Sequence, residues 1–204
     1  MAVSAVIFDV GNVLYRWDPR FLYERLIDDD RALDAFLRDV VTQEWHFQHD
    51  AGRDFADTSA ELIAQHPQHE ELILAWGPRF NDSVPGMVDG MGDVVAQLDE
   101  AGVPLFAITN FSHEFWPPFA EAESHIFDRF RDVVVSGEEK LSKPDPEIYR
   151  RALKRFGLSG PDALFVDDRL DNVESARAVG IDAVQFTDAH SFRAELAKRG
   201  LLAD

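Results

Sequence analysis

The run Val3-Ser4-Ala5-Val6-Ile7-Phe8 stops at a single carboxylate, Asp9, and Val10-Gly11-Asn12 and further apolar residues follow. A short, mostly apolar run closed by a turn signal reads as a strand buried on both faces. Such a strand belongs at the centre of a parallel sheet, and the carboxyl ends of those strands are where α/β proteins collect ligands. Three more apolar runs lead into chemistry-bearing residues. Val103–Ile108 runs into Thr109-Asn110, Val133–Val135 precedes Lys143, and Ala163–Val166 runs into Asp167-Asp168. Laid side by side, these strands would bring a nucleophile candidate, a hydroxyl, a cation and an acid pair to one sheet edge.

From about residue 87 onward, strand-like and helix-like runs alternate. The apolar spacing predicts helices over 87–100, 146–156, 173–179 and 191–199, and strands over 103–108, 132–135, 163–166 and 183–186. Ser112 is placed to cap a short helix that Pro117-Pro118 interrupts or redirects. Repeated β-α predicts an α/β protein with a Rossmann-like parallel sheet of five strands and helices on both faces. Residues 18–84 differ: helical patterns over 20–27, 30–41, 58–65 and 70–76 follow one another without a convincing strand. Asp18-Pro19 and Val84-Pro85-Gly86 bracket them with turns. The expected division is a core from 1–17 and 85–204, with an inserted α-helical cap domain from 18–84.

The 38 acidic residues against 20 Lys and Arg give a formal net charge of −18. That balance repels phosphodiester backbones and anionic lipid, so the expected partners include no nucleic acid and no membrane. It would also repel a phosphorylated substrate unless a local cation or metal intervened. The absence of cysteine excludes thiolate catalysis, thiolate metal sites and disulfides. The N-terminus has neither the basic region nor the apolar stretch of a signal peptide, and a cytoplasmic enzyme, monomer or homodimer, is the expectation.

Asp9 taken alone could cap the following turn. Lys143 lies in Leu141-Ser142-Lys143-Pro144-Asp145-Pro146, where two prolines stiffen the loop around the charge. Thr109-Asn110 offers a hydroxyl and backbone N–H groups to an anion, although the pair also reads as an ordinary turn. Asp167-Asp168 places two carboxylates together, which repel unless a cation joins them. Asp9, Asp168 and a backbone carbonyl form an all-oxygen set suited to Mg2+. Acids at the N-terminus of the next helix are the other reading of that pair.

In this order the four segments resemble those of the haloacid dehalogenase superfamily of aspartate-nucleophile hydrolases. The resemblance rests on Phe8-Asp9-Val10-Gly11-Asn12-Val13-Leu14, Ala107-Ile108-Thr109-Asn110, Lys143-Pro144-Asp145-Pro146-Glu147-Ile148-Tyr149 and Phe165-Val166-Asp167-Asp168 with the residues up to Gly180. Trp17 to Arg20, His46 to His49 with Gly52, and Phe115-Trp116-Pro117 resemble the bacterial α-D-glucose 1-phosphate phosphatase branch. The resemblance implies a phosphatase for a small phosphorylated metabolite, a sugar phosphate in particular. Asp9 would be the nucleophile forming an aspartyl-phosphate. Asp9, the Gly11 carbonyl and Asp168 would hold Mg2+, with Asp167 bound through water or one layer out. Thr109, the Asn110 N–H and Lys143 would bind the phosphoryl oxygens.

One position departs from the family. Most phosphatases of the superfamily carry a second aspartate two residues after the nucleophile, as proton donor to the leaving group, and here that position is Gly11. His46, His49 or His113 could supply the proton, although histidines in polar loops are more often surface residues. The glycine also admits a metal-independent haloacid dehalogenase, against which the Asp167-Asp168 pair speaks, or a weakly active binding protein of the same fold. Trp45 and Trp116 are expected to pack, with some claim on the cap–core cleft. Arg16, Arg20 and Arg53 are expected to pair with surface acids.

Overall fold

The computed structural model describes residues 3–203. In chain order the strands are β1 (Ala5–Phe8), β2 (Tyr15–Arg16), β3 (Gly86–Met87), β4 (Leu105–Thr109), β5 (Asp132–Val135), β6 (Ala163–Asp167) and β7 (Asp182–Gln185). Five of them form one parallel sheet in the order β5-β4-β1-β6-β7, with β1 in the middle. Its register sets Phe8 opposite Ala107 on one side and Val166 on the other. Asp9, Thr109-Asn110 and Asp167-Asp168 therefore leave adjacent strands at the same edge.

The two-residue period of the strands divides the core. Val6 and Phe8, Leu105 and Ala107, and Leu164 and Val166 face one cluster. Ala5 and Ile7, Phe106 and Ile108, and Ala163 and Phe165 face the other, beneath Ile148, Tyr149 and Ala152 of the helix Pro146–Phe156. That helix has proline in its first turn, the Asp145 carboxylate capping its start and Gly157 in the left-handed region at its end.

Between β2 and β3 the chain is helical and turn-like throughout, a helical cap inserted into an α/β core. β2 and β3 pair antiparallel, Tyr15 with Met87 and Arg16 with Gly86, and so tie the two ends of the insertion together. The insertion contains helices Pro19–Tyr23, Asp30–Asp39, Gln43–Asp50, Phe55–Gln65 and Glu70–Ala75. The Asp29 carboxylate accepts from Ala32 N at 2.8 Å, so the Asp28-Asp29-Asp30 run is a helix cap. No helix among the described residues is long and apolar enough to cross a membrane.

Three local readings are corrected. Helix Gln43–Asp50 was not legible as a helix because its buried face is mostly polar: His46, His49 and Asp50 lie inside with Trp45, while Phe47 is exposed. Its amphipathic stripe is absent, and only the Thr42 hydroxyl, accepting from Trp45 N, marks its start. Pro117-Pro118 does not interrupt a helix but lies in the first turn of Trp116–Ala122, where no intrahelical donor is needed. The helix expected from 87 begins at Met91, since Gly86–Met87 is drawn into β3.

Helix Gln43–Asp50 docks on the core through its C-terminal turn. Gly52 has φ +88°, and a Cβ there would stand 2.7 Å from the Gly137 carbonyl oxygen. Gly52→Ala should therefore destabilise the fold by more than about 1 kcal/mol, through the strained φ and the backbone clash together. A lowered urea midpoint is the expected readout.

Candidate active site

At the carboxyl edge of β1 the Lys143 ammonium is enclosed between two acids. Its Nζ lies 2.8 Å from Asp9 Oδ1 and 2.6 Å from Asp167 Oδ2, with 1% of the lysine side chain exposed. The Phe165 ring closes the site below, its centroid 5.4 Å from Nζ. Burial disfavours a charged lysine here, but Asp167 and Asp9 outweigh it and hold the ammonium more firmly protonated than a free one.

The loop that carries Lys143 is fixed by a side chain whose part was not foreseen. Asn110 donates from Nδ2 to the Lys143 carbonyl at 2.9 Å and accepts the Lys143 N–H on Oδ1 at 2.8 Å. One amide thus satisfies both backbone groups of a residue outside regular structure. Asp167 is similarly saturated: Oδ1 accepts from Arg169 N and Asn172 Nδ2, and Oδ2 from Lys143 and Asn172. It is fully buried and positions Lys143.

Asp9 accepts from Val10 N at 2.7 Å. Burial pushes its carboxyl up to about 8 against the pull of Lys143, with Asp167 and Asp168 adding to the rise. Burial and Asp167 also raise Asp168. Asp9, Asp167 and Asp168 offer oxygens all within 4.8 Å of one another. Three ionised carboxylates and one ammonium would leave two negative charges, which a divalent cation would balance. The donors are all hard oxygens, and Asn172 Oδ1 on the same wall is buried without a partner. This chemistry fits Mg2+ and gives a soft metal no sulfur or nitrogen ligand.

Above these residues lies a cavity of about 280 Å³ between core and cap. Asp9, Gly11, Asn110, Lys143, Asp168 and Asn172 line its floor, and Gln43, His46, Phe47 and Asp50 reach it from the cap. Thr109 is buried and its hydroxyl has no partner, but it is not on the cavity wall. Tyr15, Trp17, Phe47, Phe80, Phe111 and Phe119 make the walls largely aromatic. Trp45 and Trp116 are packed elsewhere, while Trp17 lines the cavity and stacks on His46 at 4.7 Å.

The histidines divide. His46 and His49 are not loop residues: they are 5% and 0% exposed, and burial lowers them to about 3 and about 4. His113 is away from the cavity at the cap–core seam, with Nε2 3.4 Å from Asp54 Oδ1. Arg16, Arg20 and Arg53 pair with Asp89, Asp34 and Glu61. Asp50, which sequence reasoning passed over, is 3% exposed and lines the cavity. Its helix could have been found from Thr42 with Glu44 behind it, a start signal without a periodic stripe.

Comparison with known proteins agrees with this edge-of-sheet site. The family model of haloacid dehalogenase-like hydrolases matches residues 3–180, and the chain belongs to that family and is a hydrolase. It is 28% identical to a sesquiterpene phosphatase of Aspergillus oryzae, covering 91% of each chain. It is 25% identical to an N-acetylmuramic acid 6-phosphate phosphatase of Pseudomonas aeruginosa, covering 88% of this chain and 80% of that one. In fold it is similar to a magnesium complex of a family enzyme from Bacteroides thetaiotaomicron, with TM-score 0.74, 18% identity, and coverage of 95% of this chain and 100% of that one.

Removing the Asn110 amide tests the loop clamp. Asn110→Ala should cost about 1–2 kcal/mol in a urea melt, for two hydrogen bonds of modest net worth. It should also lower kcat/KM, since Lys143 loses its placement.

Proposed function

We propose that the chain is a magnesium-dependent phosphatase that hydrolyses a small phosphorylated metabolite through an aspartyl-phosphate on Asp9. The observation that carries this reading is the buried Lys143 ammonium held against Asp9 at the floor of the cavity, beside Asp168. A carboxylate so placed can attack phosphorus, while the fixed ammonium and the N–H of Asn110 spread the charge growing on the phosphoryl oxygens. Thr109 contributes its unpartnered hydroxyl to the same edge. Asp9, Asp168 and the Gly11 carbonyl would hold Mg2+, with Asp167 one layer out. When bound, the ion offsets the repulsion between these acids and an anionic substrate. Residues 18–84 act as the cap that covers the core of 1–17 and 85–204 and limits water at the floor.

A sugar phosphate is the substrate implied by the sequence resemblance, and relatives include phosphatases named for phosphorylated sugars. The aromatic walls favour a second reading, a phosphate with an apolar body. Asn12 Oδ1 is taken by Trp17 N, Asn110 by Lys143, and Arg169 by Asp171. This leaves few side chains free to meet several hydroxyls. Comparing kcat/KM for a hexose phosphate with that for an isoprenyl phosphate separates the two.

Phosphate release from p-nitrophenyl phosphate is the test of the activity itself. Turnover should require Mg2+ and stop with EDTA. Asp9→Asn should fall to background with folding intact, and Lys143→Ala should lose about 10²–10³-fold in kcat. Metal-independent halide release from a chloropropionate, with no phosphate release, would make the chain a dehalogenase instead.

A further inference from the structure

The departing oxygen of an alkyl phosphate needs a proton, and the floor of the cavity has no group to give one. At Gly11 a Cβ would meet nothing within 4 Å, so that stretch of wall carries no side chain. Asp9 is committed as nucleophile and Asp168 to the cation. Lys143 and Arg169 are each held protonated by acids, Lys143 by Asp167 and Asp9, Arg169 by Asp171. The Tyr15 phenol donates to Glu123 Oε2 at 2.8 Å, and burial raises it far from neutrality. His46, lowered to about 3 by burial, is a neutral imidazole near pH 7 and has no acidic proton to give.

Asp50 remains, and its placement is unusual for a cap residue. It ends helix Gln43–Asp50, and its carbonyl accepts from Ser136 Oγ at 2.6 Å and from Ser142 Oγ at 3.3 Å. Both hydroxyls belong to the core segment that leads into Lys143, so Asp50 is tied to the catalytic loop itself. Its side chain lines the cavity while 95% buried, Oδ2 stands 3.5 Å from His46 Nε2, and Oδ1 has no partner. A buried carboxyl oxygen without a donor is costly unless the group is protonated or a ligand meets it.

We infer that Asp50, backed by His46 and anchored by Ser136 and Ser142, is the general acid and base of this phosphatase, serving where Gly11 has no side chain. The inference rests on the reading of Asp9 as nucleophile. As an Asp9 oxygen bonds to phosphorus and the bond from phosphorus to the leaving oxygen breaks, the Asp50 proton passes to that oxygen and an alcohol departs. A water oxygen then bonds to phosphorus, its proton goes to the Asp50 carboxylate, and the bond to Asp9 breaks. Orthophosphate leaves, with Asp9 ionised and Asp50 protonated again.

Burial pushes Asp50 up to about 7, with Lys143 pulling the other way, which suits a group that must give and take a proton near neutrality. The other charged groups near it are accounted for. His46 and His49 on its own helix are neutral, and Arg53 pairs with Glu61. On the packed segment 136–140, Glu138 is exposed, Glu139 faces Arg151 and Arg155, and exposed Lys140 lays its stem on Gly52.

The test compares p-nitrophenyl phosphate, whose leaving group needs no proton, with n-hexyl phosphate, whose leaving group does, both with Mg2+. Asp50→Asn keeps the shape and should lose about 10²–10⁴-fold in kcat/KM on the hexyl ester, but less than about tenfold on the aryl ester. In the wild type, the hexyl-to-aryl ratio of kcat/KM should fall as pH rises through about 7, because Asp50 then loses its proton. That ratio stands even if the variant folds poorly. Equal losses on both esters, or a flat ratio, would overturn the role of Asp50 and leave the phosphatase intact. Wild-type protein that releases phosphate from neither ester would overturn both.

Discussion

The site depends on one buried ammonium. Lys143 lies between Asp9 and Asp167, and three charged groups that would each be costly alone are tolerable together. Removing Lys143 would leave two buried carboxylates without their counter-charge, whereas removing either acid leaves the ammonium paired with the other. Asn110 at the end of β4 and Asn172 in the first turn of helix Leu170–Ala178 stiffen it, one by clamping the Lys143 backbone, the other by holding both oxygens of Asp167. Asp9 is left with an oxygen on the lysine and a face toward the cavity. The acid excess that remains makes the floor suited to a cation, which would offset the repulsion of this strongly acidic chain toward a phosphate.

The cap completes this floor and is tied to it. The Asp50 carbonyl reaches two core serines, and Gly52 passes so close to Gly137 that no side chain fits between them. Trp76, Phe80 and Phe115 pack around His46 and His49, an aromatic cluster spanning cap and core. Such contact areas are large and directional, and they hold the neutral imidazoles in place. The same packing provides an apolar ceiling over a charged floor, the combination a cavity needs to take a phosphate by one end and a carbon body by the other.

Strand ends were legible because a parallel sheet imposes them. A short apolar run can be buried on both faces only as a central strand, and whatever polar residue ends it must emerge at the edge. Asp9 and Asp168 are legible in this way, Lys143 by the two prolines around its loop eight residues past β5, and the three meet at one floor. Thr109 belongs to the same edge but is set back from the wall. Helix Gln43–Asp50 was not legible, since its buried face carries His46, His49 and Asp50 while Phe47 is exposed, so the apolar stripe by which a helix is recognised is absent. The sequence therefore shows its histidines as loop residues and gives no sign of Asp50.

By itself the sequence determined the order of the strands of the parallel sheet, the helical insertion between the first of them and the next, β1 and β4, and the side chains that leave the sheet at its carboxyl edge. Those follow from hydrophobic period and from local turn and cap chemistry, which are properties of neighbouring residues. Only the tertiary structure decided that Asn110 grips the Lys143 loop, that Asp167 is spent on Lys143, and that Asp50 enters the cavity. These are contacts between residues 24 to 92 positions apart. Their energies depend on burial and on which partner arrives, and neither is written in any short stretch of chain.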